Sequence, residues 1–174
     1  IRDYAPASPY PSTIDVGGFT GAVTNVNVTL FGLSHTYDAD IAILLVGPAG
    51  QTVVLMSDAG DEYELDDVTL TFDDGAPTYL PVGRIFTGTY RPTNRDNRSF
   101  FWSPAPPGPY GGALSTFNGM DPNGTWKLFV VDVEEDDVGV IAGGWSLTLN
   151  GPGSGVSSPC GKFGTWAGRA SGTT

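Results

Sequence analysis

Residues 23–33 read V-T-N-V-N-V-T-L-F-G-L, and the unbroken apolar run I-A-I-L-L-V follows at 41–46. In the first stretch Val26, Val28 and Leu30 alternate with polar residues, which is the period-two pattern of a strand with one buried face. The second stretch is short, apolar throughout and β-branched in part, which predicts a central strand of a sheet. These two stretches predict a β-sheet protein.

Turn residues punctuate the chain and divide it into short strands. The sequence holds 25 glycines and 14 prolines, and these lie between apolar runs rather than in tracts. Besides the two opening stretches, strands are predicted around Ile14 and Val16 and at 52–56, 68–72, 82–90, 126–132 and 145–149. The predicted fold is all-β: a jelly-roll-like antiparallel β-sandwich of about eight strands.

Composition divides the chain into three parts. Residues 1–13 form an extended, Pro-rich segment, because Pro6, Pro9 and Pro11 forbid a helix there. Residues 14–150 form the sandwich, and 151–174 form a Gly/Ser-rich extension that still carries Phe163 and Trp166. The first residue is Ile1 and not Met, so either a signal peptide has been removed, which is the preferred interpretation, or the sequence is a fragment.

The charge balance excludes several classes of partner. Nineteen acidic residues stand against eight basic ones, a net charge of −11. Such a surface repels nucleic acid and anionic lipid, and no apolar stretch reaches the length of a membrane span. An extracellular or cell-surface location is expected. The one cysteine, Cys160, cannot form an intrachain disulfide, and is either an unpaired thiol or an intermolecular cross-link.

Several motifs, in order along the chain, resemble the P domain of subtilisin-like proprotein convertases. They are S-H-T-Y-D-A-D at 34–40 with the strand and G-P-A-G turn that follow, L-T-F-D-D-G-A at 70–76, and F-T-G-T-Y-R-P at 86–92. F-N-G at 117–119, P-N-G-T-W at 122–126 and G-W-S-L-T-L at 144–149 continue the match, which covers about 14–149. The resemblance implies a jelly-roll sandwich that accompanies another activity. Residues 93–111 are an insertion relative to the family.

A catalytic role is not expected. His35 is the only histidine, and its neighbour Ser34 points to the opposite face of an extended strand, so the two do not form a dyad. A structural histidine in a loop is the preferred interpretation. One histidine and one distant cysteine also make no zinc site.

Acidic residues gather in the loops, where hard oxygen ligands suit Ca²⁺. The candidate ligands are Asp38, Asp40, Asp58, Asp61, Asp73, Asp74, Asp132, Asp136 and Asp137. If every strand reverses direction, loops 34–40 and 57–67 share one end with the 91–123 connection, and loops 73–81 and 133–138 share the other. The alternative is that these are solvated turn residues. A Kd of about 10⁻⁴ to 10⁻³ M is expected for an extracellular site.

The insertion is a candidate contact surface, because arginine and aromatic residues together are typical of recognition sites. The candidate contact residues are Arg91, Arg95, Arg98, Phe100, Phe101, Trp102 and Tyr110, with Phe163 and Trp166 from the C-terminal extension. The alternative is a long loop folded back over the core, with its own aromatic residues buried.

Three functions remain open from the sequence. The first is a non-catalytic structural module that binds copies of itself on a cell surface or in a filament, through its extensions and aromatic loop. The second is the accessory P domain of a secreted subtilisin-like protease, as the resemblance implies. The third is a carbohydrate-binding jelly roll, with Phe101, Trp102 and Tyr110 as stacking platforms.

Overall fold

Ten strands form two five-stranded sheets in the computed structural model, which describes residues 1–95, 100–152 and 154–161, the last as a backbone strand only. Sheet 1 has the order β1-β8-β3-β4-β7, and sheet 2 has the order β10-β9-β2-β5-β6. The strands are β1 (Ser12–Val16), β2 (Asn25–His35), β3 (Ile41–Val46), β4 (Thr52–Ser57), β5 (Leu65–Phe72), β6 (Gly88–Tyr90), β7 (Thr93–Asn94), β8 (Gly124–Asp132), β9 (Gly139–Gly151) and β10 (Ser154–Gly161). Short 3₁₀ helices lie at Asp38–Asp40 and Leu114–Phe117. The predicted all-β sandwich is confirmed.

The main core lies between the two sheets. Alternate residues of β2 point into it, among them Val26, Val28 and Leu30, as the period-two pattern predicts. Two fully buried tryptophans also find partners for their indole N–H groups: Trp126 donates to the carbonyl of Pro122, and Trp145 donates to Ser12 Oγ, both at 2.9 Å. Buried Trp side chains are stable only when that polar group is satisfied.

Strand β3 is buried on both faces, which explains why its sequence is apolar without alternation. Its odd-numbered residues, such as Ile43, enter the main core, whereas Ala42, Leu44 and Val46 enter a second cluster on the outer face of sheet 1. Phe101 closes this second cluster from the outside, 7% exposed. The segment around Phe101 therefore acts as a third layer over sheet 1.

One predicted strand is much shorter in the structure. Of residues 82–90 only Gly88–Tyr90 form a strand, and Val82 and Phe86 are 71% and 63% exposed. Gly83 has φ +128°, outside the extended region of a strand, and Pro81 precedes it without an N–H. The turn chemistry of this segment therefore overrides its apolar residues.

The sheets are mixed rather than purely antiparallel. Strand β6 pairs with β5 in parallel, and β7 pairs with β4 in parallel. A parallel pair requires the chain to return to its starting end before the second strand begins. This departure from the prediction changes which loops meet.

Both predicted extensions contribute to the sheets. The N-terminal segment pairs with β8, first through Pro6 with Val131 and then through β1 with residues 124–128. Strand β10, beyond the predicted boundary at residue 150, pairs with β9. In the described residues no helix is long and apolar enough to cross a membrane.

Candidate functional site

Four elements meet at one end of the sandwich, which we call the His35 end. Strand β2 ends there at His35, and the first 3₁₀ helix follows and leads into β3. Strand β8 ends beside it, with Asp132 paired to Ile41, and β9 begins there with Gly139 paired to His35. This convergence brings side chains from distant parts of the sequence together.

Three of the predicted ligands form a carboxylate cluster at this end: Asp40, Asp132 and Asp137. Asp132, Asp137 and Glu134 are all close enough to Asp40 for their charges to act on it, and Asp137 also acts on Asp132. Asp132 is fully buried and Asp40 is 8% exposed. Burial and then the charges of Asp132, Asp137 and Glu134 raise the pKa of Asp40 to about 7.

His35 lies beneath this cluster and joins the two sheets. Its Nδ1 is 2.7 Å from the carbonyl oxygen of Tyr37, and its Nε2 is 3.2 Å from Asp132 Oδ2. Burial raises the pKa of Asp132, and the imidazole acts in the opposite direction. A ring 2% exposed with both nitrogens engaged is positioned as a structural group, while Ser34 Oγ accepts a hydrogen bond from the backbone of Asp67 instead.

Asp38 organises the neighbouring loop. Its fully buried carboxylate accepts a hydrogen bond from the backbone N–H of Asp61 at 2.8 Å, and its backbone N–H donates to the carbonyl of Tyr63 at 2.9 Å. Gly60 packs directly against the carboxylate. Burial raises the pKa of Asp38, and the backbone N–H groups oppose that shift. The second oxygen, Oδ2, has no hydrogen-bond partner.

The other candidate ligands at this end are less enclosed. Asp58 accepts a hydrogen bond from Ser57 Oγ at 3.3 Å. Asp61 and Asp136 are exposed, and the backbone N–H of Asp136 donates to Asp3 Oδ1 at 2.8 Å. Asp61 is held in a similar way, since its backbone N–H donates to Asp38 Oδ1.

The predicted grouping of the loops was wrong. Asp132, Asp136 and Asp137 were placed with Asp73 and Asp74, but the structure places them at the His35 end with Asp40. The reason is that β6 and β7 pair in parallel with β5 and β4. Before each of these strands the chain therefore runs the length of the sandwich as an unpaired connection. As a result β8 runs in the direction opposite to the predicted one and ends at the His35 end. Sequence alone gives no sign of such a crossing.

Asp73 and Asp74 hold the turn at the far end of β5. Asp73 accepts hydrogen bonds from the backbone of Gly75 and the side chain of Asn27. Asp74 accepts hydrogen bonds from the backbone N–H groups of Leu114 and Ser115, at 2.8 and 2.7 Å. Both carboxylates therefore satisfy N–H groups of loops, which is the turn role that the sequence left open.

Replacing Asp74 by alanine is expected to destabilise the fold by about 1–2 kcal/mol, because two N–H groups at the start of a 3₁₀ helix lose a charged acceptor. Urea unfolding monitored by circular dichroism measures this difference. Asp66→Ala, at an exposed position of β5, is the control and is expected to stay within about 0.5 kcal/mol of the parent. Equal stability of the two variants would contradict the proposed capping role of Asp74.

The arginines of the predicted contact surface are engaged within the domain. Arg91 Nε donates to the carbonyl of Ala76 at 2.7 Å, and its guanidinium lies 5.6 Å from the ring centre of Tyr79. Arg95 donates to the carbonyl of Leu80. Both arginines thus hold the loop before β6, while Arg91 stays partly exposed and Arg95 exposed, and their predicted contact role stays a prediction. Arg98, Phe163 and Trp166 lie outside the described residues.

The aromatic residues of the insertion divide into buried and exposed members. Phe101 is buried edge-on against Tyr110, whose hydroxyl donates to the carbonyl of Pro106. The prediction of Phe101 as a contact or stacking residue was therefore wrong, and the alternative of a folded-back loop holds for it. The sheet face beneath is apolar, so burying this ring is favourable.

Phe100 lies on the outside of the same segment and forms an aromatic patch with Tyr4 and with Trp102, which is partly buried against the second cluster. Trp102 stands edge-on to both neighbours, with centroid distances of 4.8 Å to Phe100 and 5.9 Å to Tyr4. Phe100 is 56% exposed and Tyr4 is 54% exposed. Sequence reasoning missed Tyr4, although an aromatic residue in a Pro-rich segment was a usable signal.

Neither a catalytic nor a complete metal constellation is evident in residues 1–95 and 100–152. No group of three or more His, Cys, Asp or Glu side chains there is arranged around one point as metal ligands. A shallow groove lined by Tyr79, Pro81, Pro92, Arg95 and Tyr110 lies at the edge of sheet 1. Its one charged group is the arginine that already binds Leu80.

Comparison with known proteins identifies one family. The family model for the proprotein convertase P-domain matches residues 23–149. Two solved structures with similarity are a serine protease of Aeromonas sobria and the complex of that protease with its chaperone, at 18% and 17% identity. They cover 93% and 98% of this chain with TM-scores of 0.36 and 0.37. The chain spans only 22% and 24% of their lengths. No match was found among curated proteins.

Proposed function

Because the chain belongs to the proprotein convertase P-domain family, we propose that it is a non-catalytic accessory module of a secreted subtilisin-like protease, acting outside the cell. The observation that carries this proposal is the family match over residues 23–149, which spans β2 to β8 and most of β9 and so includes strands of both sheets. P domains of this family accompany a catalytic domain and are not themselves catalytic. The buried His35 supports the same conclusion, since it has no free face for a substrate.

The aromatic patch of Tyr4, Phe100 and Trp102 is the surface proposed to contact the catalytic domain. Two of its rings are more than half exposed, on a molecule whose net charge is −11. Exposed aromatic clusters on a rigid support are typical centres of protein interfaces. Here the support is the layer that Phe101 anchors to sheet 1.

The proposal is tested with the full chain and the subtilisin-like catalytic domain of the same organism. The chain alone is expected to leave casein intact, and its addition is expected to prolong the half-life of the protease on heating. Phe100→Ser is expected to weaken the complex about tenfold or more by calorimetry. Phe86→Ser is the matched control, because Phe86 is also an exposed aromatic residue and lies outside the patch. Casein cleavage by the chain alone, or no complex at tens of micromolar protein, would overturn the proposal.

A second candidate is self-assembly into polymers at the cell surface, with the same patch and the C-terminal extension as contacts. The exposed rings of Tyr4 and Phe100 favour it, because they fit a second copy of the chain as well as a protease. Light scattering after size-exclusion chromatography separates the two functions. Concentration-dependent polymers that Phe100→Ser abolishes would support self-assembly, and a monomer at all concentrations would exclude it.

A further inference from the structure

A groove lies on the outer face of sheet 2, where β9 begins, and we call it the Val138 groove. Its volume is about 410 Å³, and its lining includes Val138 and Val140 together with the acids Glu64 and Asp66. Val138 is 54% exposed and Val140 is 46% exposed, although both side chains are apolar. Both acids are exposed as well. The groove therefore offers apolar and acidic side chains to the segment that covers it.

An apolar strip continues from the groove along β9. Ala142, two residues beyond Val140, is exposed on the same face. Phe31 of the neighbouring strand β2 is 37% exposed, and its Cβ lies against Gly143. Apolar residues that are exposed next to one another, rather than singly, are typical of a surface that another segment covers.

The direction of β10 points the end of the chain toward this surface. Strand β10 is antiparallel to β9, and its last residue, Gly161, is opposite Trp145. Beyond that pair the direction leads to the start of β9, where Val140 is about 17 Å from Trp145 along the strand. Thirteen residues follow Gly161, and an extended segment of that length spans up to about 43 Å. The C-terminal segment, residues 162–174, is therefore long enough to cover the strip and the groove.

The sequence of the C-terminal segment is complementary to the surface. It reads K-F-G-T-W-A-G-R-A-S-G-T-T, so it combines two aromatic residues, Phe163 and Trp166, with two basic residues and no acid. The rest of the molecule is strongly acidic, because the whole chain has a net charge of −11. Burial of aromatic rings on apolar residues and the attraction of opposite charges both favour an association of these two parts.

We propose that the Val138 groove and the apolar strip bind residues 162–174 of the same chain. Phe163 and Trp166 supply the apolar contacts, and the positive charges of Lys162 and Arg169 lie opposite the acids of the groove. A tethered segment binds at a high effective concentration, so modest contacts are sufficient. This inference does not depend on the proposed accessory function, and it is an alternative to polymer contacts through the same segment.

Limited proteolysis of the full chain with trypsin tests the proposal, because Arg169 is a trypsin site within the segment. Cleavage after Arg169, followed by mass spectrometry, is expected to be about tenfold slower in the chain than in the free peptide of residues 162–174. Cleavage that requires a rapid opening follows the population of the open form. The protection is expected to be independent of protein concentration, because the binding is intramolecular.

Variants of both partners show whether the groove is the binding site. Val138→Ser is expected to speed cleavage after Arg169 about fivefold, since the segment loses apolar contact. Val82→Ser is the matched control, because Val82 is 71% exposed and does not line the groove, and it is expected to leave the rate unchanged. Trp166→Ser is expected to speed cleavage at least as much. The double variant Val138→Ser, Trp166→Ser is expected to be no faster than Trp166→Ser alone.

The charges are tested with Glu64→Gln. This variant is expected to speed cleavage after Arg169 about twofold at roughly 0.05 M NaCl, and to match the parent chain at about 1 M NaCl, where exposed charges are screened. The free peptide corrects for the effect of salt on trypsin itself. Thermal unfolding of every variant shows that the domain remains folded.

Three results would overturn the proposal. Equal cleavage rates in the chain and the free peptide would show that the groove does not bind the segment. Faster cleavage in Trp166→Ser, with an unchanged rate in Val138→Ser, would place the segment elsewhere on the domain. Protection that increases with protein concentration would show that the groove binds the segment of a second copy.

Discussion

Replacing Trp145 by alanine is expected to lower the free energy of unfolding by about 3–5 kcal/mol, the range for deleting a fully buried aromatic side chain. Trp145 is on β9 of sheet 2, and its indole N–H donates to Ser12 Oγ of β1 in sheet 1. The substitution therefore leaves a cavity in the main core and also leaves the 2% exposed Ser12 hydroxyl without its donor. The cavity and the lost hydrogen bond both lower the free energy of unfolding.

Urea unfolding followed by circular dichroism measures the effect of Trp145→Ala. Val140→Ala, also on β9 but 46% exposed, is the matched control and is expected to change stability by about 0.5 kcal/mol or less. Trp145→Phe keeps most of the volume and is expected to fall between the two. A loss below about 1 kcal/mol for Trp145→Ala would contradict the described packing of the core.

The second large effect is expected for Gly60→Ala, at about 2–4 kcal/mol. Gly60 has φ +92°, where an L side chain is strained, and a Cβ there would overlap the carboxylate of Asp38. Its backbone N–H also donates to the carbonyl of Pro81 at 3.0 Å, so the loop cannot move away freely. Backbone strain and steric overlap therefore add.

Gly50→Ala separates these two contributions. Gly50 has nearly the same φ, +90°, but a Cβ there would meet nothing within 4 Å. Its loss of stability, about 1 kcal/mol, measures the backbone strain alone. The difference between the variants measures the overlap with Asp38, so equal losses would show that the carboxylate does not pack against Gly60.

The strands with clear hydrophobic patterns were predicted well, and turn chemistry accounts for the failure. The apolar run at Ile41–Val46 matches β3 from its first residue to its last. The stretch 82–90 failed because Gly83 adopts a conformation that periodicity does not register. The burial of both faces of β3 was implicit in its unbroken apolar sequence, but the segment that covers its outer face was not identified.

The candidate site was predicted in its residues but not in its arrangement. The sequence identifies Asp40, Asp132 and Asp137 as candidates, because they lie in loops or at the end of a strand. Which of them lie together depends on the direction in which β8 runs along the sandwich. That direction follows from the parallel pairing of β6 with β5 and of β7 with β4. The partners of Arg91 and Arg95 are backbone carbonyls, which carry no sequence signal at all.

The pairing of the N-terminal segment with β8 limits how one molecule meets the next. On the side away from β3, the backbone of β8 is already paired with the chain's own N-terminal segment. Pro6 and Ala7 pair with one part of β8, and β1 pairs with the other. A neighbour that inserts an extended segment at this edge has to displace β1 first, and with it the hydroxyl of Ser12 that serves Trp145. Strand exchange at β8 is therefore coupled to opening of the interior.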